Sequence, residues 1–140
     1  MNDPPQAPTY ASPAGCALAI AISVLIVGGA VLAFSLLTGR QLDLEEESGV
    51  LLFQVLLVAA PFLLLALAGV RRRAPWLTGL ALTLAFWSYY VFEGVSYQRH
   101  PDGSGANIGL GLLMMASPVF ITAAIVAVHV WHRSRGRRRG

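Results

Sequence analysis

The charges of this 140-residue chain are segregated. It carries ten arginines, no lysine and seven acidic residues. Four long stretches, residues 15–38, 50–70, 74–98 and 106–131, together hold one charged side chain, that of Glu93. A helix rises about 1.5 Å per residue and the hydrocarbon core of a bilayer is about 30 Å thick, so about 20 apolar residues cross it. Each of the four stretches is long enough. Overall, 12% of the residues are charged, about half of the roughly 25% typical of a soluble domain. That balance excludes a disordered chain or a coiled coil and points to a polytopic membrane protein.

The stretches read as helices and not as strands of a membrane barrel. A barrel strand alternates apolar and polar residues over about ten positions. Leu63–Leu64–Leu65 and Ile125–Val126–Ala127–Val128 are apolar without alternation. In hydrocarbon each backbone group must be bonded within its own segment, which a helix achieves. The expected fold is therefore an all-α membrane protein, with four transmembrane helices in an antiparallel up-down bundle joined by short loops. The transmembrane domain is expected over 15–131. A Pro-rich tail, 1–14, carries Pro4, Pro5, Pro8 and Pro13 and is expected to be disordered; a basic tail follows over 132–140. Residues 1–14 also carry Asp3 and no arginine, unlike the basic start of a signal peptide.

The arginines give an orientation. Arg71, Arg72, Arg73, Arg133, Arg135, Arg137, Arg138 and Arg139 fall on one side of a four-span chain, and Arg40 and Arg99 on the other. The positive-inside rule then places both termini in the cytoplasm. The exclusive use of arginine suggests a GC-rich genome and hence a bacterial inner membrane. The basic tail is expected to attract anionic lipid headgroups, at about 1 kcal/mol per residue near the surface; no nucleic-acid partner is expected.

Glu93 is the exception to the segregation, and an acid inside a span is costly and by default a functional candidate. Phe86, Tyr89, Tyr90, Glu93 and Tyr97 are related by helical steps and form a stripe. Gln54, Asn107, Ser35 and Thr38 are expected at the same outer depth, and the loop with Arg99, His100 and Asp102 lies above them. The candidate site is thus an outer polar cluster of Glu93, Gln54, Tyr90, Tyr97, Asn107, Arg99, His100 and Asp102. Its plain alternative is an aromatic interface belt with a capped helix start. Gly28 and Gly29 in helix 1, and Gly105, Gly109 and Gly111 at the start of helix 4, are expected to allow close helix packing, within the chain or with a partner or second copy.

Enzymatic motifs are missing from the sequence. The single cysteine, Cys16, excludes a dithiol centre, and no phosphate loop or nucleophile elbow is present. His129 and His132 flank Trp131 at a membrane boundary and are read as interfacial. No cofactor or metal is expected. The favoured function is a non-enzymatic accessory or interaction subunit. A small carrier or channel using Glu93, and an immunity or holin-like lysis protein, are the alternatives.

Overall fold

The computed structural model describes residues 13–41, 43–99 and 106–137, and these form four helices: α1 (Pro13–Thr38), α2 (Leu44–Leu67), α3 (Arg73–Arg99) and α4 (Ala106–Arg137). Three contain segments long and apolar enough to cross a membrane, Pro13–Thr38, Glu47–Leu67 and Ile108–His132. Their outward faces agree. Leu25 and Leu36 on α1 are each 75% exposed, and Val119 and Phe120 on α4 nearly as much. Contiguous apolar surface of that kind needs lipid or a partner to cover it.

α3, expected as one of four spans, is not among these segments. It has 27 residues, but Thr78, Thr83, Ser88, Ser96, Gln98 and its tyrosines lower its hydropathy below that of the other three. Several of its small and polar positions are turned inward. Pro75, Gly79, Thr83, Trp87 and Val95 are buried, and all fall on one row of four-residue steps. Leu77, Leu82, Leu84 and Phe92 face outward.

The helix ends follow local chemistry more than apolarity. α2 begins at Leu44, well before the apolar run that opens at Val50. Asp43 caps it: its Oδ1 accepts the Glu45 amide at 3.1 Å, and its carbonyl accepts the Glu47 amide at 2.9 Å. The acidic residues 45–47 then lie in the first turn, where the helix dipole favours negative charge. α2 ends at Leu67, short of Val70. Gly69 takes a positive φ of 64°, and the amides of Gly69 and Val70 donate to Ala66 and Leu65, a Schellman closure. α4 runs on to Arg137, so the first part of the basic tail is helical.

α1 packs on α2 and α3, and α4 packs on α3 and α2, whereas α1 and α4 do not meet among the described residues. Phe62 is completely buried at the centre, with Ile26, Val27, Val58, Trp87 and Met114 around it. Its ring stacks on Trp76 at 6.0 Å between centroids. A smaller cluster of Leu65, Ile121 and Ile125 continues the core. Buried hydroxyls are satisfied on their own helices: Ser23 donates to the Ala19 carbonyl at 2.8 Å and Thr83 to that of Gly79 at 2.7 Å.

The close approaches occur at Gly79 and Gly94. A Cβ on Gly79 would lie 2.7 Å from Ile125 Cδ1 and 3.2 Å from Phe62 Cε1, and one on Gly94 would lie 3.1 Å from the Phe34 ring. A Cβ at Gly28, Gly29, Gly109 or Gly111 meets nothing within 4 Å. Those four glycines, expected as packing residues, face outward, because the inward rows of α1 and α4 pass through Ala19, Ser23 and Ile26 and through Met114, Ser117 and Ile121. Gly105 lies outside the described residues. Gly79→Leu should cost at least about 2 kcal/mol by overpacking, and Gly109→Leu should stay within about 0.5 kcal/mol. Denaturant titrations of the two variants in the same micelles compare them; equal losses would contradict the assigned packing.

Candidate functional site

Near the α1–α2 connection the helices part and leave a cavity of about 630 Å³. This is within the range of roughly 300–1,000 Å³ usual for small-molecule sites. Its position follows from the sequences that line it. α1 contributes Phe34 and Ser35 from its last turns, and α2 contributes Leu51 and Gln54 from its first. α3 supplies the aromatic wall, Trp87, Tyr90 and Tyr97, with Gly94 between them. These positions continue the inward row of α3 by helical steps. At 5.4 Å between centroids, Trp87 and Tyr90 are tilted against each other and brace one side.

The mouth is charged. Arg40 Nη2 donates to Glu47 Oε1 at 2.9 Å, and both residues line the cavity. The loop that holds Arg40 is shaped locally. Gly39 takes φ 68° and its amide donates to the Ser35 carbonyl at 2.8 Å, while the Ser35 hydroxyl donates to the Arg40 carbonyl at 2.6 Å. The ion pair is partly exposed, with Arg40 at 58%. Such a pair contributes little to stability; its effect is to occupy both charges at the opening.

Inside, Gln54 is 9% exposed and its Oε1 has no hydrogen-bond partner among the described residues. Leaving a buried acceptor unpaired costs about 1–3 kcal/mol. Gln54 lines the cavity, and its Oε1 itself is closed off from that space, so a donor reaches it only if the side chain turns.

The expected cluster is divided by the geometry. Gln54, Tyr90 and Tyr97 share the cavity. Glu93 is not among the residues that line it. Its carboxylate interacts with the hydroxyl of Tyr89, one turn earlier, on a flank of α3 where Tyr89 is 48% exposed. Arg99 is exposed in the last turn of α3, and among the described residues the ion pair is Arg40–Glu47 and not Glu93–Arg99. His100 and Asp102 lie outside the described residues, as does the side chain of Asn107.

Sequence reasoning passed over Arg40, Glu47, Trp87, Gly94 and Phe34. One signal was available. Thr83, Trp87, Tyr90, Gly94 and Tyr97 follow three- and four-residue steps along one face. Choosing that row over Tyr89 and Glu93 would have found the wall.

The basic residues gather at the other end. Arg71, Arg72 and Arg73 are exposed, and Arg72 Nη1 reaches the His132 carbonyl at 3.4 Å, tying the α2–α3 connection to the end of α4. Arg135 lies over the Trp131 ring at 4.1 Å, a cation–π contact. Arg138 and Arg139 lie outside the described residues, as do the side chains of Arg133 and Arg137. No family model, curated protein or solved structure matches the chain.

Replacing Gln54 by leucine removes the unpaired acceptor and keeps the volume. Gln54→Leu should therefore stabilise the fold, by about 1 kcal/mol, while Arg40→Ala should change it by less than about 1 kcal/mol. Unfolding midpoints in detergent test both, and a destabilised Gln54→Leu would mean that the amide is bonded in the folded protein.

Proposed function

We propose that this chain is a four-span membrane protein of non-enzymatic function, an accessory subunit that holds a small amphipathic ligand in the cavity around Gln54. The buried, unpaired Gln54 Oε1 is the observation that carries the reading. The ligand presents an apolar body to Trp87, Tyr90 and Phe34 and an N–H or O–H that this oxygen accepts once the Gln54 amide turns toward the cavity. The charged groups at the mouth, Arg40 and Glu47, are engaged with each other. That arrangement favours binding over acid–base chemistry.

The fourth span is α3. At 27 residues it reaches about 40 Å, it lies against α1 and α4, and it turns Leu77, Leu84 and Phe92 outward. The four helices then form an antiparallel up-down bundle. The contact of Arg72 with His132 supports a shared side for the two arginine clusters. By the positive-inside rule that side, with both termini, is cytoplasmic, and the cavity opens outward. A bacterial inner membrane is the setting favoured by the arginine-only composition. An accessory role is supported by the open surface at Gly28 and Gly29, where a partner helix can approach closely. A carrier built on Glu93 is less favoured, since the cavity lining does not include that residue.

Two measurements test this reading. Saturation-transfer NMR with a panel of phenol and aromatic amide fragments should find binders to the purified protein. Their signals should be lost in Gln54→Leu and in Gly94→Trp and kept in Glu93→Gln; binding that persists in the first two variants removes the site. Reporter fusions to both termini should be active only on the cytoplasmic side, and a periplasmic signal from either end would overturn the four-span orientation.

A further inference from the structure

A second crevice, of about 480 Å³, lies at the arginine-rich end, between the start of α1, the end of α2 and the first half of α3. Leu18 and Ile22 of α1 form one wall, and Trp76 and Leu80 of α3 form another. The indole of Trp76 offers no donor to this space, because its Nε1–H is given to the Val70 carbonyl at 2.9 Å. The body of the crevice is therefore apolar.

Its rim is not. Arg71 and Arg73 both border the crevice, and both are exposed. Neither side chain has a hydrogen bond or ion pair among the described residues, in contrast to Arg72 between them, which reaches His132. Two guanidinium groups, unpaired among the described residues, thus stand beside an apolar slot. They sit at helix ends, the level at which headgroups lie if the helices span.

That combination selects its occupant by charge and polarity together. A free phosphate would satisfy the arginines and leave the apolar walls bare. A zwitterionic lipid would fill the slot but bring its own ammonium group close to two guanidiniums. An anionic phospholipid meets both demands, since guanidinium groups bind phosphate oxygens through paired N–H donors. We propose that this crevice is a binding site for one anionic phospholipid, its phosphate held between Arg71 and Arg73 and one acyl chain lying along Leu18, Ile22 and Leu80. The site is separate from the general attraction of the basic tail for headgroups, because it adds a shaped apolar slot to the charge.

Native mass spectrometry of the full chain tests it, after reconstitution with equal amounts of phosphatidylglycerol and phosphatidylcholine and extraction in mild detergent. The protein should retain one phosphatidylglycerol in preference to phosphatidylcholine. Arg71→Ala/Arg73→Ala should reduce that retention at least tenfold. Ile22→Trp, which fills the slot and keeps both arginines, should do the same, and it decides the matter if the arginine pair fails to fold. Arg135→Ala/Arg139→Ala, which removes equal charge from the tail, should leave retention unchanged. Equal retention of the two lipids, a loss as large in the tail variant as in the rim variant, or a lipid still held by Ile22→Trp would each overturn the proposal.

Discussion

A peptide group in hydrocarbon has no water to bond, and most of this structure follows from that fact. Long uncharged segments must be helical because a helix closes its hydrogen bonds within itself. The same demand reaches the side chains. Ser23, Thr83 and Ser117 each donate to a carbonyl on their own helix, and Trp76 donates to the Val70 carbonyl at the turn between α2 and α3. Where nearly every buried polar group is satisfied, an orphan is informative. Among the described residues the orphans are Gln54 Oε1 and His129 Nδ1, and Gln54 faces a cavity.

Packing obeys a second limit. Lipid tails are as apolar as leucine, so helices in a membrane gain little by hiding leucine from lipid and associate through close contact. α3 carries the residues that permit this. Gly79 lets Phe62 and Ile125 come against its backbone, and Gly94 lets Phe34 approach. On the same face Trp87, Tyr90, Gly94 and Tyr97 line the cavity. Some of the residues that lower the hydropathy of α3, Thr83, Tyr90 and Tyr97, face its neighbours or line the cavity, while Ser88, Tyr89 and Gln98 are exposed.

The helices were legible in the sequence because charge segregation is a strong signal with a simple cause. Their ends were less so. The early start of α2 depends on the Asp43 cap, and its early stop on Gly69, both local features that a reading based on apolar length overlooks. The lining of the cavity was legible in part. Gln54, Tyr90 and Tyr97 were named and do share the cavity, while Glu93 was named for its charge and lies on a flank beside Tyr89. Charge marks a residue as unusual but does not say which way it points. The outward glycines make the same point: Gly28 and Gly109 have the composition of a packing face, yet which face of a helix meets its neighbour depends on all its partners at once.

The central claim is that α3 crosses the membrane with its polar face lining the Gln54 cavity. Single cysteines placed along α3 in a Cys16→Ser background, labelled in intact cells with a membrane-impermeant maleimide, test it most directly. The account predicts labelling from outside at Gln98 and Gly94, fading to none by Thr83 on the same face, and none at Leu84 or Leu82 on the outward face. Labelling that continues along one whole face of α3 would instead describe a helix lying on the membrane surface, and would contradict the account.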